Sequence, residues 1–293
     1  MLPPDLPIFL LNALTYTCVY FLIAAGLSLI FGVLGILNCA HGALYMVGAY
    51  VAVTLIKLFT ANPLLQFLSM IVAGLSIGLI GILIERFQLR FIYQRQDTYQ
   101  LLLTYGWVLV FDDLVKLLWG LYPQAASEPY LLAGSSNIVG KPYPNYNFIM
   151  MAGSAIVAVL LFAVLFRTWM GRVIRATSMN RELASGIGIN VNRTYTYTFA
   201  LGAMLVGFSG ALVIPSTAAS VGMGADILVE AFAIVAIGGL GSLKGAFIGS
   251  IIAGVLRSFG IAVFPEIETA LLYLITAGVL LVRPWGLFGR RLT

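Results

Sequence analysis

Apolar runs about as long as a membrane-spanning helix recur along most of this chain, and they restrict its fold more than any other feature. A helix that crosses a bilayer needs about 20 predominantly apolar residues. With 61% hydrophobic and 9% charged residues in 293, the runs could not all be buried in a water-soluble domain. They cover residues 8–33, 42–58, 64–84, 101–119, 148–166, 194–214, 227–237, 245–264 and 269–282.

The sequence therefore predicts an all-α integral membrane protein. We expect a polytopic bundle of about nine transmembrane helices, with eight to ten allowed because some glycine-rich segments could be broken or re-entrant. The whole chain, residues 1–293, is predicted to form one transmembrane domain. The start, MLPPDLP, has no basic segment and no small-residue cleavage site, so we expect the first apolar run to remain as a span.

One segment, residues 167–193, is unusually rich in arginine. It contains Arg167, Arg172, Arg175, Arg181 and Arg193, with Glu182 as its only acidic residue. Placing five arginines in hydrocarbon would cost about 15 kcal/mol, at roughly 3 kcal/mol each. This segment must therefore lie outside the bilayer.

The distribution of basic residues predicts the orientation of the chain, because short cytoplasmic loops carry an excess of lysine and arginine. With nine spans and the amino terminus outside, one side carries the arginine-rich segment together with Arg86, Arg90, Arg95, Lys244, Arg283, Arg290 and Arg291. The other side carries only Lys57 and Lys141 with Asp5, Glu128, Asp226, Glu266 and Glu268. We predict that the loop 167–193 and the carboxyl terminus are cytoplasmic and that the polar loop 120–147 is extracytoplasmic.

Several classes of function are not supported by the sequence. The net charge of +5 is explained by the arginine-rich loops, so we expect no nucleic-acid partner. Gly140-Lys141 is followed by Pro142 and lacks the upstream glycine of a nucleotide-binding loop. With His41 as the only histidine, we expect no catalytic constellation and no metal site. The chain is thus predicted to be neither an enzyme nor a cofactor protein.

A polar break interrupts the apolar runs between residues 38 and 42. Asn38 and His41 lie where the first hairpin turns or re-enters the membrane. Non-helical backbone at membrane depth must line a cavity or be buried in protein, and broken helices often mark a transporter's binding site or gate. The alternative is a plain cytoplasmic turn, with Asn38 capping the helix that begins near His41.

A second break follows the seventh run, at residues 238–242. Three glycines in five residues end a helix inside the membrane or at its edge. The next helix carries Gly245, Gly249, Ser250 and Gly254 at spacings that allow close helix packing, which explains that face by itself.

Charged residues within or beside the spans need partners. Lys116 follows Asp112 and Asp113 by four and three residues, so we expect mutual neutralisation. Arg257 lies inside the eighth run, where it either extends towards the outer surface or pairs with an acid such as Glu230. Structural pairing is the favoured interpretation, and a contact to substrate is the alternative.

Within the arginine-rich segment, Met179, Leu183 and Ile187 are spaced as one apolar stripe on a short helix. Either Asn180 or Ser178 could cap its start, Glu182 suits its first turn, and Gly186 or Gly188 could end it. Such a helix could insert into a groove on another protein. It could equally lie on the lipid surface, with Arg172 and Arg175 touching head groups.

Three stretches resemble the LivH-type permeases of branched-chain amino acid ABC importers. The first is GLSLIFGVLGILNCAHGA (26–43) with Gly48-Ala49-Tyr50, in which Cys39 stands where the family has an aromatic residue or methionine. The second runs from Gly171-Arg172 through Ala184 to Gly186-Ile187-Gly188-Ile189-Asn190. The third is AIGGLGSLKG (236–245), with Lys244 where proline is common.

This resemblance implies a multi-pass subunit of the bacterial inner membrane. Its implied partners are a second, related permease, two cytoplasmic ATPase subunits that bind ATP and Mg²⁺, and a periplasmic or other extracytoplasmic substrate-binding protein. Branched-chain amino acids are the leading substrates, while urea, short amides and aromatic acids remain open. The rival class is a self-sufficient channel or an ion-coupled carrier.

The resemblance also favours protein docking over lipid binding for the stripe. Residues 178–187 would be the helix that couples to the ATPase, with these residues in the coupling loop: Arg172, Arg175, Met179, Arg181, Glu182, Leu183, Ala184, Gly186 and Ile187. The candidates for the translocation path or gate are Asn38, His41, Gly42, Tyr45, Gly238, Gly239, Gly241 and Ser242.

Overall fold

Apolar periodicity and a few helix caps organise the chain into twelve described helices. The computed structural model describes residues 6–93, 95–263 and 265–289, without the side chains of residues 268 and 269. Asp5, Phe264, Arg290, Arg291 and the Glu268 side chain, all used in the sequence predictions, lie outside this description. The helices are α1 (Leu6–Leu34), α2 (Ala40–Leu58), α3 (Pro63–Phe87), α4 (Asp97–Trp119), α5 (Glu128–Ala133), α6 (Tyr146–Arg167), α7 (Trp169–Met179), α8 (Arg181–Gly186), α9 (Val191–Val213), α10 (Met223–Gly238), α11 (Leu243–Val263) and α12 (Glu268–Val282).

Six of these helices are long and apolar enough to cross a membrane: α1, α2, α3, α6, α9 and α11. The other three predicted spans coincide with α4, α10 and α12. Helix α4 carries four charged residues, and α10 and α12 have only 16 and 15 residues. A helical membrane protein is therefore confirmed, while the count of nine and the orientation of the termini stay predictions.

Helix α1 is the centre of the bundle, because every residue from 19 to 30 is buried. It packs against α6, α9, α10 and α11, and α9 in turn packs along α2 and α3. The close packing depends on glycine pairs at the crossings. A Cβ added to Gly48 would lie 2.5 Å from the carbonyl oxygen of Gly207, and one added to Gly26 would lie 2.7 Å from that of Gly202. Without these side chains the backbones approach closely, as in other membrane helix pairs.

One end of the bundle carries the four short strands found among the described residues, and we call it the strand end. Strand β1 (Gln124–Ala125) pairs antiparallel with β4 (Ala218–Ala219), and β2 (Ser135–Ile138) with β3 (Lys141–Pro144). The predicted extracytoplasmic loop 120–147 contains β1, α5 and the β2–β3 hairpin. Lys57 at the end of α2 donates to Gln124 Oε1 at 2.9 Å, which ties this loop to the helices.

The opposite end, which we call the arginine end, carries α7 and α8. Residues 167–193 do not form one loop with a single helix over 178–187, as the sequence predicted. Asn180 adopts an extended conformation (φ −159°, ψ 108°) and separates α7 from α8, so that prediction is wrong. Arg167 belongs to the last turn of α6, and Arg193 to the first turn of α9.

Candidate coupling surface and translocation path

The two helices of the arginine end are fixed by side-chain caps. The Thr168 hydroxyl accepts the Gly171 N–H at 3.1 Å at the start of α7. The Asn180 side chain accepts the N–H groups of Glu182 and Leu183, both at 2.9 Å, at the start of α8. Asn180 is therefore the cap, whereas the Ser178 hydroxyl donates to a carbonyl within α7. Gly186 is the last residue of α8, in agreement with the predicted end.

The predicted apolar stripe is fully presented to the surroundings, although it extends beyond one helix. Met179 ends α7, Leu183 lies in α8, and Ile187 follows it; their exposed fractions are 71%, 69% and 78%. Ala184 points the other way and is 3% exposed. The break at Asn180 does not disrupt the stripe, because the three side chains all remain exposed.

Arg172 and Arg175 make local contacts within this region. The Arg172 guanidinium lies 5.1 Å from the centre of the Trp169 ring, and that of Arg175 lies 4.8 Å from the Phe166 ring. Arg175 also donates to the carbonyl of Leu165 at 2.7 Å. The two contacts of Arg175 fasten α7 to the end of α6, whereas the contact of Arg172 with Trp169 lies within α7.

A groove of about 350 Å³ joins α8 to the end of α1. Met179, Arg181 and Glu182 line it from one side, and Phe31 to Gly35 line it from the other. The structure therefore places three of the nine predicted coupling residues, Met179, Arg181 and Glu182, in one groove beside the end of the central helix.

The first break occupies residues 35–39 rather than 38–42, because α2 already begins at Ala40, and it leads from the exposed Gly35 to the buried Asn38. His41 Nε2 is 3.0 Å from the carbonyl oxygen of Ile23, eleven residues before the end of α1 and so about 16 Å along its axis. Thr104, two turns into α4, accepts the Cys39 N–H at 3.3 Å. The chain thus leaves α1, turns back and begins α2 at depth, which supports the re-entrant interpretation over a plain turn.

Three polar side-chain atoms at the start of α2 are buried without a hydrogen-bond partner among the described residues. Asn38 and His41 are both 0% exposed. Since a carbonyl only accepts, His41 Nε2 carries the proton, and its Nδ1 is left as a buried acceptor. Nδ1 and both polar atoms of the Asn38 amide have no hydrogen-bond partner among the described residues. Asn38 therefore does not cap α2, and its environment suits a polar guest or water.

The neighbouring path candidates serve close packing. A Cβ on Gly42 would overlap the backbone of Gly224 in α10, and Gly210 of α9 lies directly against the Tyr45 backbone. The Tyr45 side chain is 4% exposed. Helices α2, α9 and α10 thus converge at the break.

The second group of path candidates lies elsewhere, at the arginine end. Gly241 packs on Gly32 of α1, nine residues or about 14 Å beyond Ile23. Gly238 packs on Gly245, and the Ser242 hydroxyl accepts the Gly245 N–H at 3.0 Å. The structure therefore does not bring residues 238–242 and the break together into one site.

This glycine turn is covered by the last described segment of the chain. The N–H groups of Leu287 and Phe288 donate to the carbonyls of Ile237 and Gly238 at 2.9 and 2.8 Å. Gly239 has φ 105° and faces Gly289 closely, so a side chain would be both strained and obstructed there.

Two polar clusters lie outside the predicted path and coupling residues. The predicted pairing of Arg257 with Glu230 is confirmed at 2.5 Å, and Arg257 also donates to the Tyr20 hydroxyl at 2.9 Å. Sequence reasoning missed Tyr20, which is 237 positions away. The predicted neutralisation of Lys116 is confirmed with Asp113 at 2.9 Å.

The second cluster surrounds Glu85 at the end of α3, which sequence reasoning did not single out. Glu85 is 0% exposed and accepts hydrogen bonds from Tyr93 at 3.0 Å and Thr196 at 2.5 Å. Burial, together with the Glu85 carboxylate, raises the pKa of Tyr93 well above its usual range, so the hydroxyl stays a donor. The feature of the sequence that could have indicated this cluster is the single acid Glu85 at the end of an apolar run.

Sequence comparison decides the family. The sequence model of the family described as branched-chain amino acid transport system, permease component, matches residues 9–282. The chain belongs to this family. As a permease component, it is a membrane subunit of a transport system, in keeping with its six apolar helices.

Curated relatives cover nearly the whole chain. The high-affinity branched-chain amino acid transport system permease protein BraD of Pseudomonas aeruginosa is 29% identical over 96% of this permease and 95% of its own length. LivH of Escherichia coli is 27% identical, over 95% and 94%. A probable LivH protein of Methanocaldococcus jannaschii is 28% identical, over 95% and 91%.

A solved structure shares the fold of this permease. A chain described as a metal-chelate type ABC transporter in an inward-facing conformation aligns with a TM-score of 0.53 and 18% identity. The alignment covers 93% of this permease and 84% of that chain. At this identity the likeness concerns the fold alone.

Proposed function

We propose that this permease subunit translocates branched-chain or related small amino acids across the bacterial inner membrane. ATP hydrolysis on two separate cytoplasmic subunits would drive import, and a periplasmic or other extracytoplasmic binding protein would deliver the substrate to a pair of related permeases. The observation that carries this proposal is the capped helix α8 with Met179, Leu183 and Ile187 exposed at its side.

The burial pattern around α8 supports the proposed coupling role. Three large apolar side chains are 69–78% exposed, and covering them with a partner protein would lower the free energy of the complex. Ala184 is buried and the Asn180 side chain orders the start of α8, so we expect a push on the outer face of this helix to reach the bundle. The groove of about 350 Å³ against the end of α1 provides the contact to the central helix.

The proposed path runs beside the re-entrant break. Asn38 and His41 present polar atoms without protein partners at the point where α2 begins inside the bundle. Such atoms are costly when dry, by about 1–3 kcal/mol each, so a permeating polar group would relieve that cost. Residues 238–242 would act in gating by controlling how α10 and α11 meet at the arginine end.

Reconstitution tests the proposed dependence on ATP. Liposomes containing the permease pair alone are expected to show no leucine flux, and flux is expected only with both ATPase subunits, ATP and the binding protein. Leucine flux without the ATPase subunits would instead support a self-sufficient channel or an ion-coupled carrier. Competition by isoleucine, valine, urea and phenylalanine in the complete system identifies the substrate class.

The coupling surface is tested in the same complex by Glu182→Arg combined with Leu183→Asp. We expect loss of assembly with the ATPase subunits or loss of substrate-stimulated ATP hydrolysis. The conservative variant Leu183→Met keeps an apolar side chain and is expected to retain both. Normal assembly and normal stimulated hydrolysis in the double variant would remove α8 from the coupling role.

A further inference from the structure

Two adjoining cavities at the arginine end are surrounded by four arginines, which we call the arginine cradle: Arg86, Arg90, Arg181 and Arg193. The first cavity has a volume of about 560 Å³ and the second about 520 Å³. Both are lined by Arg90 and Asn192, so they lie side by side. The remaining lining residues are Ile82, Asn190, Thr196 and Tyr197 in the first, and Phe91, Tyr93 and Tyr195 in the second.

The positive charge of this cradle is not neutralised by the protein. No lining residue of either cavity is acidic. Within the ranges that the structure describes, none of the four guanidinium groups has a hydrogen bond or an ion pair. The adjacent Glu85 is fully buried and receives its hydrogen bonds from Tyr93 and Thr196 instead.

The start of α9 adds to this potential. Asn192 and Arg193 belong to its first turn, where the helix dipole is positive. Arginines at this end are expected from the distribution of basic residues alone, but that distribution does not require them to surround one cavity. A cluster of guanidinium groups around a cavity matches the geometry of a phosphate group.

An apolar track leads along α3 to the cradle. Leu75, Leu79 and Ile82 precede Arg86 by eleven, seven and four residues, which places all four on one helix face. Leu75 and Leu79 are 55% and 59% exposed. A ligand that fits this surface has an anionic head at the helix end and an apolar tail along the span.

We propose that the arginine cradle binds the phosphate headgroup of an anionic phospholipid, with its acyl chain lying along α3 at Leu75 and Leu79. Basic pockets between membrane helices bind anionic headgroups in this way. Free phosphate would use the cradle without the track, and an acidic protein segment would have no use for exposed leucines within the span. The site is separate from the proposed substrate path and adjoins the coupling surface at Arg181, which the test below therefore leaves unchanged.

Native mass spectrometry of the full-length permease tests this site. The protein is released from nanodiscs of phosphatidylcholine mixed with phosphatidylglycerol, and bound lipids are counted as the collision energy rises. The wild-type chain is expected to retain phosphatidylglycerol at energies that remove phosphatidylcholine. Arg86→Gln combined with Arg90→Gln is expected to lower that retention about tenfold or more, since each arginine near an anionic surface contributes roughly fivefold.

The matched control removes two other exposed arginines predicted on the same side, Arg95→Gln with Arg283→Gln, and is expected to retain the lipid as the wild type does. Equal loss in the control would reduce the effect to net charge and overturn the site. Equal retention of the two lipids by the wild type would also overturn it. Displacement of the lipid by inorganic phosphate would overturn it as well. Unchanged lipid retention by the Arg86→Gln, Arg90→Gln variant, together with loss of binding to the ATPase subunits, would assign these arginines to the ATPase contact and overturn the lipid site.

Discussion

Asn38 and His41 carry polar atoms that the fold buries and leaves without protein partners. Elsewhere in the interior, buried polar side chains such as Thr198 bond a carbonyl one turn back in their own helix. The break has no such local solution, because residues 35–39 are not helical. A buried amide without hydrogen-bond partners lowers stability, so its presence in the interior indicates a role in function.

Replacing Asn38 by leucine separates stability from function. The change removes two unpartnered buried polar atoms at similar volume, so we expect a higher melting temperature in detergent. We also expect leucine transport by the complete complex to fall severalfold, because the polar lining is lost. Ser154→Ala, which removes a buried unpartnered hydroxyl from α6, is the control and should leave transport intact. Full transport by the Asn38→Leu variant would take this residue out of the path.

The pair of Glu230 and Arg257 is expected to be structural. Glu230→Gln removes one counter-charge from the Arg257 guanidinium and should lower stability by at most about 3–5 kcal/mol, less where Arg257 is solvated. Replacing both, Glu230→Gln with Arg257→Met, should recover much of that loss. Thermal unfolding of the two single variants and the double variant measures the coupling. Strictly additive effects would show that the pair contributes no interaction energy.

Among the secondary-structure elements, α7 and α8 show what sequence periodicity can and cannot reveal. The spacing of Met179, Leu183 and Ile187 correctly predicts a shared exposed face. It does not reveal the break at Asn180, because three side chains four residues apart stay exposed whether the backbone is continuous or kinked. Asn180 itself, rather than the spacing, indicates the break. A residue that caps the start of one helix also ends the helix before it.

Asn180→Ala tests whether α8 must be ordered to transmit force. Loss of the cap should cost about 1 kcal/mol of helix stability. We expect substrate-stimulated ATP hydrolysis in the complex to fall severalfold while the melting temperature of the permease hardly changes. Ser178→Ala is the matched control, because Ser178 bonds within α7 and caps nothing. An equal effect of both changes would argue against a specific role of the cap.

Over the whole molecule, the apolar runs predict the positions of the long helices well and their packing poorly. Each of the nine predicted runs coincides with a described helix. Of the side-chain contacts, the pairing of Glu230 with Arg257 was predicted and the contact of Arg257 with Tyr20 was not. A charged side chain within a membrane needs an opposite charge, and few residues can supply one. A tyrosine hydroxyl both donates and accepts hydrogen bonds, so its partner is not predictable from the sequence. The Gly42–Gly224 contact likewise depends on two helices 182 positions apart, which no local pattern encodes.

Gly42→Ala tests the crossing of α2 and α10. The added Cβ would overlap the Gly224 backbone, and overpacking of this kind costs about 1–3 kcal/mol. We expect a lower melting temperature together with reduced transport. Gly106→Ala on α4, where a Cβ meets nothing within 4 Å, should change neither property. Comparable losses in both variants would mean that the crossing is not tightly packed.

The break between α1 and α2 also restricts how the permease can be assembled. Cys39 depends for its N–H contact on Thr104, and the close crossing of α2 at Gly42 depends on Gly224 of α10. A hairpin of α1 and α2 that reached the lipid alone would therefore expose unpaired backbone groups to hydrocarbon. We therefore expect the first two helices to reach their final packing only after α4 and α10 have been made.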